Sequence, residues 1–425
     1  MLRLLAAVAV GRMAGFFSRL AGRGGSAVPG LIAEKIDPRT IEKLVASIPG
    51  GVVIVTGTNG KTTTTKMLVT ALEHGGTSVL TNPTGSNLAR GVTTALIGAS
   101  RRGRVRGHGV AVFEIDEAAV RTLAPRLNPE LIVVTNLARD QLDRYGELDT
   151  AAAHVGVAVA AARRAVLNAD DPAVSALDDG RTAWFGAAAP IRRTMPHDRV
   201  LYGSTDPDAP AVALDATLEG VERSGDGQRI RVAIGGAVRQ AELQVPGVYN
   251  GYNATAAVLA AAEFGVAPQE ALAALEQMPP AFGRGQVVIY RNRRVRLLLV
   301  KNPAGFNQAL RLLVDEPDPV DVLVAINDNH ADGRDVSWLW DVRFEDLAGT
   351  PHRLGTTGIR AADMALRLKY AGVEAWAEPD LGAALDRIVS EAPEGRLVYV
   401  VPTYTAMLAL LDRLLPGTSR AEAWT

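Results

Sequence analysis

Cysteine is absent from the 425 residues of this chain. The chain therefore has no disulfide, no thiolate metal site and no cysteine nucleophile of its own. An excess of one charge is also lacking, because 45 lysines and arginines are balanced by 46 aspartates and glutamates, which leaves a formal net charge of -1. No global positive field is present to recruit nucleic acid, and we predict none as a partner. Hydrophobic residues make up 48% of the chain, enough for the cores of about two to three globular domains.

Long hydrophobic runs are lacking as well. The apolar run at the N-terminus lies between Arg3 and Arg12 and is much shorter than the about 20 residues that a spanning helix needs. A secretory signal could be this short, but the apolar pattern continues to Leu20 and no clear small-residue cleavage site follows. We predict a cytoplasmic amphipathic helix and no transmembrane segment. Contact of this helix with the membrane surface is the alternative, which the arginines, including Arg19, would favour.

Short β-branched runs alternate with Ala-rich helical patterns over most of the chain, which is typical of a parallel sheet covered by helices. The pattern weakens over about 186–240, where prolines and the turn Ser224-Gly-Asp-Gly227 predict an irregular, strand-rich insertion. Pro279-Pro280 and Gly283-Arg-Gly285 are the best linker signal. We therefore predict an α/β protein with three parts: a helical lead-in at 1–48, a larger domain with a mostly parallel sheet at 49–282, and a smaller Rossmann-like α/β domain at 283–425.

The individual elements follow from the same periodicity. Strands are predicted at 52–56, 110–115, 131–135, 165–168, 295–300, 320–326, 373–377 and 396–401. Helices are predicted at 64–73, 150–163, 306–314, 361–371, 381–391 and 403–414.

The strongest local signal is Gly57-Thr-Asn-Gly-Lys-Thr-Thr63, which follows the first predicted strand and precedes a helical pattern. Such a loop directs backbone N–H groups and a helix N-terminus at phosphate oxygens, while the lysine adds a cation and the Thr62 hydroxyl can ligate Mg²⁺. The full eight-position pattern would begin with a glycine where this chain has Val55, so the loop is a shorter variant. An ordinary strand-turn-helix corner with a chance lysine is the alternative. The predicted nucleotide-binding residues are Gly57, Thr58, Asn59, Gly60, Lys61, Thr62 and Thr63.

Carboxylates stand at the ends of two apolar runs. One run ends in Glu114, Asp116 and Glu117, and the other leads into a polar cluster that contains Asp140. Ligands gather at the carboxyl ends of parallel strands, and Mg²⁺ bound to a triphosphate usually takes one or two protein carboxylates. Glu114 still belongs to the strand pattern, so we predict it as the Mg²⁺ ligand together with Thr62. Asp116 and Glu117 are equally typical of solvated loop acids or of the first turn of a helix, and Asp140 is a further candidate active-site residue.

These segments give the chain a resemblance to the Mur ligase family, the ATP-dependent amide-forming enzymes of peptidoglycan synthesis. The matching segments occur in the family's order and cover most of residues 50–285. They are the loop Gly57 to Thr63, the strand that ends in Glu114, Thr135-Asn-Leu-Ala-Arg-Asp-Gln-Leu-Asp143, Leu167-Asn-Ala-Asp-Asp-Pro172 and Gly247-Val-Tyr-Asn-Gly-Tyr-Asn-Ala254. The resemblance implies a P-loop Mur ligase central domain that uses ATP and Mg²⁺.

Other residues narrow the resemblance to the MurT branch of this family. Gln141 stands where most Mur ligases have a metal-binding histidine, and the stretch 327–338, Asn-Asp-Asn-His-Ala-Asp-Gly-Arg-Asp-Val-Ser-Trp, is similar to the branch signature. Lys301-Asn-Pro-Ala-Gly305 points the same way, although most Mur ligases begin that loop with an acidic residue and this chain has Leu298 there. Too few residues precede the phosphate loop for a UDP-sugar domain, which disfavours the soluble UDP-precursor as substrate. Many MurT relatives also carry a four-cysteine zinc ribbon in the insertion, so no zinc is expected in this cysteine-free chain.

The MurT resemblance implies an activity at the inner face of the cytoplasmic membrane. It implies the ligase subunit of lipid II isoglutaminyl synthase, which amidates the α-carboxylate of D-glutamate in lipid II to D-isoglutamine through an acyl phosphate, with glutamine-derived ammonia. It also implies that Asn253 approaches the adenine and that Arg284 reaches the nucleotide from the domain junction. The alternatives are that Asn253 caps a helix over 254–262 and that Arg284 is a solvated hinge arginine.

Glutamine hydrolysis in this system needs a cysteine nucleophile, so a second chain must supply it. The resemblance implies a GatD-type glutaminase as partner in a heterodimer, with Asp335 of this chain as the carboxylate that orients the partner's histidine. Asp341 and Asp328 are alternates for that role, and Asp335 could instead cap a helix with Ser337. Trp338 and Trp340 are either interface anchors or core residues.

Rival functions remain open at this point. A Mur-type ligase similar to folylpolyglutamate synthase would act alone, with an amino acid as nucleophile. A non-catalytic nucleotide-binding subunit would bind ATP without turnover, and a simple phosphotransferase would leave phosphate on its product.

Overall fold

The alternation of apolar β-branched runs and helices produces two sheets in the computed structural model, which describes residues 2–20, 28–82, 86–138, 148–195, 212–280 and 283–417. The first sheet has nine strands and the second has six. Both are covered by helices, so the predicted α/β class is confirmed. The division into domains at about 48 and 282 stays a prediction, and β12, the first strand of the second sheet, begins at Arg284.

The first sheet has the strand order β11-β10-β9-β8-β7-β6-β1-β5-β2. From β2 to β9 neighbouring strands are parallel, and β10 and β11 complete the sheet as antiparallel strands. The strands are β1 Val52–Thr56, β2 Val79–Thr81, β5 Val110–Glu114, β6 Leu131–Val134, β7 Arg164–Asn168, β8 Thr182–Ala187, β9 Ala216–Ser224, β10 Gly227–Ile234 and β11 Ala237–Leu243. The short strands β3 Ser100–Arg101 and β4 Arg104–Val105 form a separate hairpin.

Helices cover both faces of the first sheet and build two buried apolar cores, one on each face. The central strands β1, β5 and β6 are buried along their whole length, which is why they read as continuous apolar runs. The helices are α1 Leu2–Leu20, α2 Val28–Ile36, α3 Thr40–Val45, α4 Lys61–His74, α5 Ala89–Ala99, α6 Glu117–Leu127, α7 Leu148–Ala161, α8 Pro172–Ser175, α9 Ala189–Arg192, α10 Val248–Ala262 and α11 Pro268–Glu276. Of the helices in these described ranges, none has the length and apolarity that a bilayer crossing requires.

The predicted irregular insertion at about 186–240 is partly wrong. Strand β9 pairs in parallel with β8, and β10 and β11 follow as a regular antiparallel meander, so this region extends the main sheet. Polar residues alternate with apolar ones in β10, because one face of an edge meander is solvated. Residues 196–211 of the insertion lie outside the described residues.

The second sheet has the order β12-β13-β17-β14-β15-β16, with β12 antiparallel to β13 and the remaining neighbours parallel. Its strands are β12 Arg284–Tyr290, β13 Arg293–Leu298, β14 Asp321–Ala325, β15 Arg353–Thr357, β16 Ala375–Ala377 and β17 Val398–Pro402. The helices are α12 Pro303–Val314, α13 Ala361–Tyr370, α14 Leu381–Glu391 and α15 Tyr404–Leu414, with 3-10 turns at Ser337–Asp341 and Phe344–Leu347. Apolar cores lie on both faces of this sheet too.

Each predicted strand and helix is present, with ends that differ by a few residues. Helix α4 starts at Lys61 rather than at 64, because the phosphate loop runs directly into its first turn. Helix α12 starts at Pro303 rather than at 306, since proline is well suited to the first turn and Asn302 caps it through a hydrogen bond from the Gly305 N–H.

Candidate active site

The loop between β1 and α4 has the backbone conformation that its glycines allow. Gly57 has φ of +122° and Gly60 has φ of +86°, in the region that disfavours other residues. Space is equally restrictive, because a Cβ on Gly57 would lie 2.4 Å from the Thr135 hydroxyl oxygen. A Cβ on Gly60 would lie 2.3 Å from the Asn253 amide oxygen. The two glycines therefore let this loop approach β6 and α10.

Lys61 is buried at the start of α4 and its ammonium turns back into the loop. The Nζ atom donates to the carbonyl oxygens of Gly57 at 2.5 Å and Thr58 at 3.2 Å. It also lies 2.9 Å from a carboxylate oxygen of Glu117, whose side chain is only 4% exposed. The loop therefore holds a buried cation at the position where phosphate is predicted to bind.

The charge of Lys61 is balanced by carboxylates at the end of β5. Burial lowers the pKa of Lys61, but the charges of Glu117, Asp116 and Glu114 oppose it, and the pKa lies above its ordinary value. Asp116 accepts a hydrogen bond from the Ala118 N–H at 3.1 Å and so caps α6. Lys61 therefore stays protonated at neutral pH.

Glu117 is a residue whose environment the sequence does not decide. The sequence predicts a solvated loop acid or a residue of the first helical turn, and Glu117 is the first residue of α6. However, it is buried and paired with Lys61 rather than solvated. Only the tertiary approach of α6 to the phosphate loop makes this pair, so no local signal could have found it.

Glu114 is the last residue of β5, next to β1, where it is in register with Val55. Its backbone is held by the side-chain amide of Asn82, which donates to the Glu114 carbonyl at 2.9 Å and accepts from its N–H at 3.0 Å. The buried carboxylate is close enough to affect the pKa of both Lys61 and Arg284. Glu114 is thus fixed at the carboxyl edge of the sheet, where ligands bind in such folds.

The donors at this edge suit a hard cation. A carboxylate from Glu114 and a hydroxyl from Thr62 are oxygen ligands of the kind that Mg²⁺ prefers, with waters and phosphate oxygens to complete the octahedron. Among the residues that the structure describes, no group of three or more His, Cys, Asp or Glu could hold a metal by itself. The oxygen donors of Glu114 and Thr62 are chemically suited to Mg²⁺, and their role as its ligands stays a prediction.

The segment after β6 fastens the phosphate loop from the other side. The Thr58 N–H donates to the Asn136 carbonyl at 2.8 Å, and the Asn59 N–H donates to the Asn136 side-chain oxygen at 3.0 Å. In return the Asn136 amide and the Thr135 hydroxyl donate to the Asn59 carbonyl at 2.9 and 2.7 Å. Thr135 and Asn136 belong to a family segment, but their role in positioning the loop was not predicted.

Asn253 does not cap a helix, so that alternative is wrong. It lies inside α10, which begins at Val248 after Gly247, and its side chain is buried against Gly60. Its amide donates to the Asn250 side-chain oxygen at 3.3 Å, and Asn250 donates in turn to the Pro246 carbonyl. The amide of Asn253 is therefore held beside the phosphate loop.

Arg284 is not a solvated hinge residue either. It is the first residue of β12, and its Nε atom is buried without a hydrogen-bond partner among the described residues. Burial lowers the pKa of Arg284, while the negative charge of Glu114 and the neighbouring Tyr249 oppose this effect. An orphaned guanidinium N–H beside a cavity is suited to an anionic ligand such as phosphate.

A cavity lies between the phosphate loop and the second unit, and elements that belong to both sheets bound it. The phosphate loop, the segment after β6, helix α10, strand β12 and the start of α12 all contribute to its wall. Its lining includes Asn59, Gly60, Thr63, Asn136, Tyr249, Tyr252, Asn253, Arg284, Lys301 and Gly305. The structure therefore brings Arg284 and Asn253 to the phosphate loop, at the junction where a nucleotide could be held by both units.

Asp335 lies away from this cavity, in the loop that follows β14. It is exposed and accepts a hydrogen bond from the Ser337 N–H at 2.8 Å, and hydrogen bonds from Ser337 hold the pKa of Asp335 below its ordinary value. Of the alternates, Asp328 is paired with Arg360 at 2.7 Å and Asp341 is half-buried. In this chain alone Asp335 forms a local turn with Ser337, while the N-cap of the 3-10 helix is Val336 and has no side-chain cap, so the predicted helix cap is not formed. Asp335 is also accessible to another molecule.

The two tryptophans of this region have different environments. Trp338 is buried and packs at 6.2 Å from the Phe306 ring, so it is a core residue. Trp340 is 53% exposed and contacts the exposed ring of Tyr370. Asp140 and Gln141 lie outside the described residues.

A phosphate loop at the edge of a parallel sheet, facing a second α/β unit across a cavity, is the arrangement of a Mur-type ligase. Family comparison supports this class: residues 55–261 match the Mur ligase middle domain, and residues 299–407 match the MurT ligase C-terminal domain. The chain belongs to the Mur ligase family, and within it to the MurT type.

The relatives and structures that the chain resembles agree with this assignment. The MurT subunit of lipid II isoglutaminyl synthase (glutamine-hydrolyzing) from Streptococcus pneumoniae is 29% identical over 95% of this chain and 95% of that protein. Its counterpart from Staphylococcus aureus is 28% identical over 97% of this chain and 98% of that protein. The structure of MurF ligase from Thermotoga maritima in complex with ADP superposes with a TM-score of 0.69 over 91% of this chain and 83% of that one. At 14% identity that last likeness shows the fold alone.

Proposed function

We propose that this chain is the ligase subunit of a lipid II isoglutaminyl synthase, a two-subunit enzyme of peptidoglycan synthesis. The observation that carries the proposal is the cavity at the junction of the two sheets, which the phosphate loop, Asn253 and Arg284 line, with Glu114 close enough to act on the charge of Arg284. The substrate would be the α-carboxylate of D-glutamate in lipid II, which would become D-isoglutamine; the similarity to MurT subunits of lipid II isoglutaminyl synthase along nearly the whole chain supports this.

The phosphate loop would bind ATP with its triphosphate along the N-terminus of α4. Backbone N–H groups of the loop and the ammonium of Lys61 would bind the phosphates, and Asn253 and Arg284 would contact the nucleotide from α10 and from the second sheet. Thr62 and Glu114 would hold Mg²⁺, and this ion, when bound, neutralises charge on the phosphates. Lys61 would then exchange its contacts with the Gly57 and Thr58 carbonyls for phosphate oxygens.

The proposed reaction has two steps. An oxygen of the substrate carboxylate attacks the γ-phosphorus, the bond to the β-phosphate bridging oxygen breaks, and ADP leaves with that electron pair. Ammonia then attacks the acyl phosphate carbon, phosphate leaves, and the nitrogen loses a proton to give the amide. Positioning and charge neutralisation carry such a transfer, and we infer that Arg284, which lines the cavity, and Lys61, which is buried in the phosphate loop, would supply the positive charge.

The nitrogen would come from glutamine hydrolysed on a partner, because this chain contains no cysteine. We propose a GatD-type glutaminase with its own cysteine and histidine as that partner. Asp335 would orient the partner's histidine, and its exposure and its lowered pKa both suit that role, since it must remain ionised. The exposed Trp340 and Tyr370 rings lie in the same second unit and would contribute to the interface.

Such an enzyme would act in the cytoplasm at the inner face of the membrane that holds its substrate. A ligase similar to folylpolyglutamate synthase is the second candidate, but the Mycobacterium tuberculosis enzyme of that type resembles this chain in fold alone, at 15% identity. The similarity to MurT proteins along nearly the whole chain favours amidation.

Reconstitution tests the proposal. The full chain is combined with a GatD-type glutaminase, lipid II, ATP, Mg²⁺ and glutamine, and the lipid-linked peptide is analysed by mass spectrometry. We expect ADP release and a product lighter by about one dalton, the nominal change from carboxylate to amide. Addition of an amino acid to the substrate, ATP binding without turnover, or a phosphorylated end product would each disprove it in favour of one of the three rivals.

A further inference from the structure

Helix α1 presents an apolar face to solvent. Its large exposed side chains are Leu2, Val10, Met13, Phe16 and Phe17, with exposed fractions between 36% and 84%. At 3.6 residues per turn these positions share one side of the helix, and Ala6 and Ala9 between them are exposed too. The exposed side is therefore mainly apolar, with the exposed Arg3 and Arg12 at its edges, while a surface helix normally places polar residues there.

The opposite side of α1 packs against α2 and α5. Leu4, Ala7 and Val8 are buried, and a Cβ on Gly11 would lie 3.1 Å from the Pro29 carbonyl of α2. Arg12 fastens the helix further, since its guanidinium donates to the carbonyls of Ile97, Gly98 and Ser100 at the end of α5. The apolar face thus belongs to a packed helix and is not the product of a loosely attached terminus.

A basic hairpin lies beside this face. The hairpin β3–β4 carries exposed arginines at 101, 102 and 104, with Arg106 directly after it, and none of them forms an ion pair with a described residue. Its turn touches the N-terminal part of α1 at the edge of the exposed face, because a Cβ on Gly103 would lie 3.4 Å from side-chain carbons of the half-buried Leu5 and of the buried Leu4. No acidic residue occurs in α1 itself. Apolar area and positive charge are therefore adjacent.

The apolar helix also runs toward the catalytic edge of the first sheet. Near its C-terminal end Gly15 meets Pro29, and the next residue, Gly30, meets the Arg90 carbonyl in the first turn of α5. The segment before α5 contains Asn82, which holds the backbone of Glu114. The end of α1 with Phe16 and Phe17 is thus the end nearer to the candidate active site, and the basic hairpin lies at the other end.

We propose that the exposed face of α1 and the hairpin β3–β4 form a docking surface for a bilayer with anionic headgroups. Phe16, Phe17 and Met13 would enter the boundary between headgroups and acyl chains, and the hairpin arginines would contact lipid phosphates. An amphipathic helix of this type lies in the plane of the membrane without crossing it. A lipid-linked substrate would then reach the cavity while the enzyme is bound to the membrane. This last step rests on the proposed function, whereas the docking itself does not.

Vesicle sedimentation tests the docking surface. The full chain is mixed with vesicles of phosphatidylcholine alone or of phosphatidylcholine with phosphatidylglycerol, at low and high salt. We expect binding to the anionic vesicles that weakens with salt. Phe16→Ser/Phe17→Ser should weaken the partition roughly tenfold or more, and Arg104→Gln/Arg106→Gln should weaken it about fivefold for each arginine.

Matched controls separate this surface from general stickiness. Val238 and Ile289 are 62% and 66% exposed, similar to the phenylalanines, so Val238→Ser/Ile289→Ser should bind as the wild type does. Arg193→Gln/Arg343→Gln removes the same amount of positive charge elsewhere on the surface. Its binding to anionic vesicles should change little, as for the Val238→Ser/Ile289→Ser control. Equal binding by wild type and the phenylalanine variant, or absence of binding to anionic vesicles, would overturn the proposal. Dimers that disappear in the phenylalanine variant, or tighter binding to an oligonucleotide than to vesicles, would overturn it as well.

Activity in detergent distinguishes this inference from the proposed function. Lipid II in neutral micelles needs no docking to a bilayer, so the phenylalanine variant should amidate it at the wild-type rate while it loses vesicle binding. Amidation without vesicle binding by the wild type would refute the docking surface and leave the function intact. Vesicle binding without amidation would refute the function and leave the docking surface intact.

Discussion

The side-chain amides of Asn59 and Asn302 hydrogen-bond to each other across the junction of the two sheets. Asn59 donates to the Asn302 oxygen at 3.3 Å and Asn302 donates to the Asn59 oxygen at 3.1 Å. Asn59 is in the phosphate loop, and Asn302 is the buried N-cap of α12. The position of the second unit is thus tied directly to the loop that would bind ATP.

Asn302→Ser is expected to weaken the use of ATP without much loss of stability. A serine keeps the cap of α12 but is too short for the amide pair, so kcat/KM for ATP should fall about tenfold, in line with two hydrogen bonds. Asn302→Ala should add a loss of about 1 kcal/mol of stability by removing the cap. The effects of Asn302→Ser and Asn59→Ala on kcat/KM should not add in the double variant, and additive losses would show that the pair does not couple the two units.

Lys61→Ala should abolish ATP turnover, with a loss of at least about 100-fold, because each lost charge-assisted contact is worth roughly 1.5 to 3 kcal/mol. It should also lower stability, since it leaves Glu117 buried without its cation. Lys61→Met/Glu117→Gln removes both charges and should recover stability but not turnover. Lys369→Ala on the exposed side of α13 is the control. Turnover by the stable double variant would disprove the role of the loop.

The local parts of the site could be predicted from sequence, and the parts made by tertiary contact could not. The phosphate loop has its signal in seven consecutive residues between a strand and a helix, and Glu114 stands at the end of an apolar run. Glu117 has no such signal, because its pairing with Lys61 depends on how α6 approaches α4. Asn253 was open to interpretation as an N-cap because polar residues precede the alanine run.

The same distinction applies to the fold. The parallel strands can be located because buried strands are continuous apolar runs, whereas the sequence over β9 to β11 predicts strands but not their regular pairing with the main sheet. Their pairing depends on contact between β8 and β9, which the chain connects through a long segment. For Asp335, the hydrogen bond with Ser337 lies within this chain. Its proposed role involves a residue of a second chain, so that role could not be predicted from the local sequence pattern.

Asp335→Asn should separate the two nitrogen sources. Glutamine-driven amidation should fall by about two orders of magnitude or more, because an amide does not hold the partner's histidine in the right tautomer. Amidation with a high concentration of ammonium should stay within about twofold of wild type, since only glutamine hydrolysis needs the carboxylate. Asp346→Asn, a nearby exposed change, should leave both rates unaffected. Equal loss with both nitrogen sources would place Asp335 in the ligase site.

Asp332 should make stability depend on pH. Burial raises its pKa and the charge of Asp328 adds to this, although hydrogen bonds from Thr405 and Asn329 act in the opposite direction. The folded state therefore binds a proton more tightly than the unfolded state, and stability is lost as pH rises from about 4 through the raised pKa. The asparagine in Asp332→Asn cannot ionise. In urea unfolding, the free energy of unfolding of this variant should therefore increase relative to that of the wild type from pH 4 to 7. A difference that does not change with pH would contradict the raised pKa.

A second contact between the two sheets involves Arg296, whose side chain is 2% exposed. It donates to the Asp226 carboxylate at 2.9 Å and to the Tyr399 hydroxyl at 2.9 Å, and lies 3.7 Å from the buried carboxylate of Glu316. Asp226 comes from the turn between β9 and β10, so this buried charge joins the first sheet to the second. Arg294 pairs with the same aspartate from an exposed position.

Arg296→Met should therefore cost about 3 kcal/mol in urea unfolding followed by circular dichroism, since it leaves Glu316 buried with less compensation. Arg294→Met removes the same charge from an exposed pair and should cost less than about 1 kcal/mol. Asp226→Asn should also cost little, because Arg296 keeps its bond to the Asp226 backbone carbonyl at 2.8 Å. If the two arginine variants lost equal stability, burial would not be the cause of the stability that Arg296 contributes. The contacts between the two units at the phosphate loop would then be the ones that stabilise their association.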